Sequence, residues 1–349
     1  MLKLSICLII KNAEETIVPC LESIKDIADE IIIVDTGSND NTLSLIKSFP
    51  KVSVFHQDWQ DDFSYARNFS FSKASGDLFM WIDADDILPL QSSYQIEFLK
   101  FQNLDGLADG FTCSYQYGND RNFKADLTFS NLRIIKKTCY SGWKYKIHEQ
   151  LDRKLVERVF DLNATIFHNK KYEDYQNSIL RNAKILKEIV REENCDSVYH
   201  FLYGRELYFL KDHVQSKFYF EKFCAENWEM SFYRYFALVK LGVFAHTSKD
   251  SKKLREILGE IAKVKMPENF EVRYLKACLI CYKNPKAGME AFRELTKNND
   301  PKMELYLSNK EILYYSKIQP LKNLIAMNRT LGNKEEEKRY VEQLQKLQM

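Results

Sequence analysis

Asp83-Ala84-Asp85-Asp86 sets three carboxylates in four residues directly behind the apolar run 78–82. Like charges ~4 Å apart repel by about 1 kcal/mol in water and about 4 kcal/mol at an effective dielectric of 20. Such a cluster calls for a cation. Residues two apart on an extended chain share a face, so Asp83 and Asp85 converge on one ligand while Ala84 points away. Hard oxygen ligands suit Mg²⁺ or Mn²⁺ bridging carboxylates and a diphosphate. The competing reading is a solvated acidic turn.

Asp35 occupies the same position one strand earlier, with Gly37, Ser38 and Asn39 after it. An acidic side chain there accepts hydrogen bonds from a base or a ribose; equally, the loop caps the next helix. In Asp61-Asp62-Phe63-Ser64-Tyr65-Ala66-Arg67-Asn68 an Asp or Ser starts a helix that carries Arg67. Its guanidinium suits bidentate contact with phosphate, or it pairs with a neighbouring Asp. Arg133, in the alternating run 131–135, is either a further phosphate partner or the outward polar residue of a strand. Among eight Cys, Cys278 and Cys281 alone form a CxxC. One such pair falls short of the four ligands of a structural zinc and reads as two small core residues.

These residues need a frame, and up to about residue 137 short apolar runs alternate with amphipathic stretches, the pattern of a βαβ sheet. Residues 4–10, 31–34 and 78–82 are near-continuous apolar runs, as expected of strands buried on both faces of a parallel sheet; 52–55 alternates. Asn12 is placed to cap a helix through Ile17, Leu21 and Ile24, and Pro19 fits its first turn. A second helix runs through Leu43, Ile46 and Phe49 to Pro50. Polar loops follow three of the strands, which is where open α/β sheets bind ligands.

After about Tyr172 the texture becomes helical, with pairs expected at 198–226, 231–262 and 270–297, near the size of a tetratricopeptide unit. Gly204 and Phe220 fall at small and aromatic repeat positions, and Ser216 replaces the usual Ala. The span 334–346 is charge-rich and reads as a solvated terminal helix. The expected division is an α/β domain at 1–172 and an all-α helical-repeat domain at 173–349.

Lys and Arg number 51 against 49 Asp and Glu in 349 residues, so no global field favours nucleic acid or an anionic membrane. With 45% hydrophobic and 29% charged residues the chain is globular rather than disordered. The run 4–10 is too short to span a bilayer and lacks the flanks of a signal peptide; the expectation is a cytoplasmic protein without a membrane span.

Five segments together resemble the family 2 glycosyltransferases: 5–12 (SICLIIKN), 30–42 (EIIIVDTGSNDNT), 61–68 (DDFSYARN), 76–86 (GDLFMWIDADD) and 145–151 (YKIHEQL). Within that family, DDFSYARN, the IHE element and Gly204-Arg205-Glu206-Leu207 are similar to bacteriocin-peptide S-glycosyltransferases of the sublancin type. The resemblance implies a GT-A fold, a UDP-sugar donor, Mn²⁺ or Mg²⁺, and transfer of a hexose with inversion. It implies that Asp35 binds uracil or ribose, Arg67 the diphosphate, Asp83 the ribose or sugar, and Asp85 the metal, with Asp86 helping the metal or orienting the donor. It places His168 near the metal or diphosphate, against a reading as an ordinary satisfied His. The acceptor base falls on His148-Glu149. Glu149 suits a carboxylate whose basicity rises on burial beside Trp143, and His148 is the alternative, with a pKa of ~6.5 unperturbed. A peptide or protein side chain (Cys, Ser or Thr) is the expected acceptor, with a polysaccharide or lipid-linked saccharide as the alternative. The helical domain offers a surface for a homodimer as for a peptide, and the oligomeric state is left open. A catalytically silent repeat scaffold is the reading from another class, and clustered like charges have no use there. A sugar nucleotidyltransferase would open with a Gly-rich loop, which Lys11-Asn12-Ala13-Glu14 is not.

Overall fold

In a computed structural model, residues 1–117, 127–169, 172–226, 231–297 and 313–348 are described. The chain divides into two compact units, Met1–Ser178 and Ile179–Met349.

The first unit is built on a mixed eight-stranded sheet. Its strands are β1 (Leu4–Ile10), β2 (Glu30–Asp35), β3 (Val52–His56), β4 (Leu78–Trp81), β5 (Asp86–Ile87), β6 (Gly110–Tyr117), β7 (Leu127–Lys136) and β10 (Val159–His168). Their order is β3-β2-β1-β4-β7-β6-β10-β5. The four strands at the β3 end are parallel, with Cys7 between Ile32 and Trp81. Beyond β4 the sheet is mixed rather than parallel, because β7 runs antiparallel to both β4 and β6. A small hairpin, β8 (Trp143–Lys144) and β9 (Gln150–Leu151), stands apart from it.

Period-two patterning splits the apolar strands between two cores. Leu4, Ile6, Leu8, Ile31, Ile33, Leu78 and Met80 pack with α1 (Ile17–Ile24) and with Ile96 and Leu99 of α4 (Leu90–Leu99). Cys7, Ile32, Phe79 and Trp81 face the other way, onto Phe71 of α3 (Phe63–Lys73) and onto Trp143. α2 is only Thr42–Ile46, so Phe49 lies beyond the helix it was expected to share. Asn12 does not cap α1, whose N-cap is Thr16. It adopts φ 51° and accepts the Asn39 amide instead, tying the β1 loop to the loop after β2.

The second unit is helical. α5 (Tyr172–Ile189) carries the division, and then come α6 (Val198–Phe209) with α7 (His213–Ala225), α8 (Ser231–Thr247) with α9 (Ser251–Lys263), and α10 (Phe270–Lys283) with α11 (Pro285–Lys297). α12 (Gln319–Leu331) and α13 (Lys334–Gln348) complete it. The caps are local chemistry: Asp212, Asp250 and Asn269 each accept an amide of the first turn. Gly204 lets α6 and α7 approach, since a Cβ there would lie 2.9 Å from the Phe220 ring. Ser216 at the usual Ala position donates to the Gly204 carbonyl at 2.8 Å. Cys278 is buried among Tyr274, Phe292 and Leu324, and the Cys281 thiol lies 3.9 Å from Met327 Sδ. Among the described residues no helix is long and apolar enough to cross a membrane.

Candidate functional site

The site lies at the carboxyl ends of the parallel strands. Asp83 and Asp86 close a tight turn after β4: the Asp83 amide donates to Asp86 Oδ2 at 2.9 Å, and the Asp86 amide to the Asp83 carbonyl at 3.0 Å. β5 then pairs antiparallel with β10, which sets Asp86 opposite His168. Asp83, Asp85, Asp86 and His168 each offer one ligand atom, all within 4.8 Å of one another. Among the described residues this is the one group of its kind. Three carboxylates and an imidazole form a donor set that fits a divalent cation.

Cations brace the cluster. Arg67, 5% exposed on α3, holds Asp83 Oδ1 at 2.5 Å through Nη2 and Glu149 Oε1 at 3.2 Å through Nε. Its Nη1 is buried and has no protein partner. Burial works against the Asp83 carboxylate, but Arg67 and Arg133 outweigh it and hold the group well below the usual carboxylate range. For Glu149 the balance is reversed. Burial prevails over the attraction of Arg67 and raises its pKa.

Asp86 is fully buried. Its Oδ1 accepts from Tyr115 Oη at 2.6 Å and lies 2.8 Å from His168 Nδ1. Arg133 is likewise buried and not the outward residue of an alternating strand. Its guanidinium lies 4.0 Å from the Tyr115 ring centroid, with Nη1 3.8 Å from Asp86 Oδ2. His168 pairs with Asp85 at 3.5 Å as well as with Asp86. Burial disfavours its imidazolium, but the hydrogen bond it donates to Asp86 and the field of Asp85 overcome that and raise its pKa.

Asp35, 1% exposed at the end of β2, accepts the amides of Gly37 and Ser38 at 3.2 and 3.1 Å. His56 Nδ1 stands 3.4 Å from its carboxylate. The contacts are those of the loop-capping reading, in a position still facing the strand ends. Glu149 and His148 lie between β8 and β9, His148 at φ 54°. The fold thus brings Arg67, Asp83, Asp85, Asp86, Glu149 and His168 into one connected set of contacts. Sequence reasoning missed Tyr115, which binds Asp86 and His168 together. Nothing in the run 110–117 marks one tyrosine above another; its role follows from β6 lying between β7 and β10.

Residues 5–162 match Glycosyl transferase family 2. Over 229 residues the chain is 29% identical to the SPbeta prophage-derived glycosyltransferase SunS of Bacillus subtilis (strain 168), covering 62% of this chain and 51% of that protein. The chain therefore spans about half the length of that curated relative. Over 92 residues it is 41% identical to a TPR repeat-containing protein of Synechococcus elongatus, covering 26% of this chain and 23% of the relative. TarS of S. aureus in complex with UDP-GlcNAc overlays 73% of this chain on 90% of that one, with 14% identity and a TM-score of 0.44, too loose a likeness to assign a ligand. The matched segment contains every residue of the acidic cluster but His168, which lies six residues past it, at the end of β10.

Proposed function

We propose that the chain is an inverting, metal-dependent glycosyltransferase that moves a hexose from a UDP-sugar to a peptide or protein side chain. The observation that carries this reading is the convergence of Asp83, Asp85, Asp86 and His168 at the end of β4 in a family 2 domain. Asp85 and His168 hold Mn²⁺ or Mg²⁺, with Asp86 fixed behind them. A bound cation supplies Lewis-acid neutralisation of the departing diphosphate. Arg67 offers its unpartnered Nη1 to a diphosphate oxygen, Asp83 takes ribose or sugar hydroxyls, and Asp35 the uracil or ribose.

Glu149 takes the proton of the acceptor as its heteroatom bonds to the anomeric carbon and the bond to the diphosphate oxygen breaks, releasing UDP. Its burial suits it to that task by raising its basicity; His148, its neighbour, is the alternative base. The acceptor reading is supported by the helical pairs, since stacked repeats form extended grooves that hold peptides, and by the subgroup resemblance. The same surfaces would serve a homodimer. Action in the cytoplasm goes with this reading.

The test is UDP release from a panel of UDP-sugars by the purified protein, with Mn²⁺ or with chelator, beside Asp85→Ala. Release from one sugar that needs the metal and is lost in the variant is the expected result. Absence of both release and metal-dependent UDP binding across the panel overturns the proposal in favour of a repeat scaffold.

A further inference from the structure

The motif 61–68 supplies more than Arg67. Asn68, the next residue on α3, spends its whole amide on a segment about 75 positions away. Its Oδ1 accepts from the Trp143 amide at 2.8 Å and from Tyr140 Oη at 2.6 Å, and its Nδ2 donates to the Trp143 carbonyl at 3.1 Å. One side chain thus satisfies both backbone groups of Trp143, as a neighbouring strand would. Trp143 is the first residue of the hairpin in which it pairs with Leu151 and Lys144 pairs with Gln150. His148 and Glu149 lie within that hairpin.

The hairpin is held at further points by the same helix. The Phe63 amide donates to the Lys146 carbonyl at 2.9 Å, and Arg67 Nε reaches Glu149. The Trp143 ring packs edge-on against Trp81 at 4.9 Å and Phe71 at 5.6 Å. Between these anchors the backbone is unfavourable: Tyr145 and His148 adopt φ 68° and 54°, a region that non-glycine residues keep only where the surroundings over-determine it. Gly142, at φ 117°, supplies the turn into the hairpin.

We propose that Asn68 is a positioning residue that clamps the 143–151 hairpin and so fixes Glu149 against Arg67 and the donor. The proposal rests on Glu149 being the acceptor base; the clamp itself is read independently of activity. Loss of the amide frees Trp143, lets the left-handed residues relax, and moves the Glu149 carboxylate without touching the acidic cluster.

The experiment compares wild type, Asn68→Ala, Asn68→Asp and Tyr140→Phe in the full chain. In Asn68→Ala, amide hydrogen exchange in 143–149 is expected to speed up by about 10-fold or more while that of β1 and β4 is unchanged. With the UDP-sugar that wild type turns over in the presence of Mn²⁺, kcat is expected to fall roughly 10- to 100-fold, as a displaced catalytic group requires. KM and the Mn²⁺-dependent affinity for UDP stay within about 2-fold. Asn68→Asp, which keeps both acceptor contacts but sets a carboxylate oxygen against the Trp143 carbonyl, shifts both readouts in the same direction, and Tyr140→Phe, which removes one donor, does so by less; they decide the matter if the alanine variant does not fold. Unchanged exchange in 143–149, or UDP affinity falling in step with kcat, overturns the clamp. If wild type releases no UDP from any sugar, the catalytic reading fails while the exchange result still decides the clamp.

Discussion

Glu149 is where burial and pairing pull in opposite directions. It is 15% exposed and bonded to Arg67, yet its pKa is raised because burial outweighs the nearby cation. A raised pKa keeps the carboxyl protonated over a wider range, so the turnover rate should climb with pH as the base loses its proton. The acidic limb of the kcat profile is expected above the usual carboxylate range, and a limb at or below that range counts against Glu149. Glu149→Gln keeps the shape and removes the base; kcat should drop by roughly 10²- to 10⁴-fold with UDP binding retained. Equal loss of binding and rate would make the residue a donor ligand instead. At this scale local chemical type and spacing singled out Asp83, Asp85 and Arg67, whereas Glu149 and His168 came from the family resemblance. Of the two readings of Arg133, burial overturns only the outward strand residue, because an alternation pattern cannot report what lies on the far side of β7.

Among the elements, the helical pairs were legible because a 3.6-residue period and an Asp or Asn cap are both written within a few residues. Gly204 marks where two of them touch. Gly204→Ala would drive a Cβ to 2.9 Å from a fully buried Phe220, an overpacking expected to cost about 1–3 kcal/mol in denaturant unfolding; a neutral result would show that the Phe220 ring has room to move. Between α8 and α10, Lys240 and Glu271 form an ion pair with side chains 3% and 1% exposed. Removing one partner strands the other, so Glu271→Ala should destabilise by about 3–5 kcal/mol, while Lys240→Met combined with Glu271→Leu should be near neutral. The periodicity placed both residues on helices and gave no sign that they would meet.

At the scale of the molecule, charge balance leaves recognition to local sites, and the first unit holds the cluster. Ligand that binds only the folded state stabilises by about 2.7 kcal/mol at a concentration 100-fold above its Kd. UDP with Mn²⁺ should therefore raise the Tm of the wild-type protein, with no shift under chelator or in Asp85→Ala. A shift that persists in Asp85→Ala would place the nucleotide elsewhere. The Gly204→Ala variant should retain the UDP-dependent shift, because its contact belongs to the second unit; loss of the shift would reveal coupling between the units.

The sequence by itself determined the apolar strands, the helix pairs, the change of texture near Tyr172 and the acidic run after β4, because burial pattern, backbone sterics and capping act over a few residues. Tertiary structure alone decided that β7 enters the sheet antiparallel beside β4, and with it that Arg133 and Tyr115 lie behind Asp86. It also turned Asn12 from a helix cap into a tie to the loop after β2. Such contacts join segments tens of residues apart, and strand order and register set them by burying whole faces at once. A single polar side chain contributes too little to that choice for its partner to be read from its neighbours in the chain.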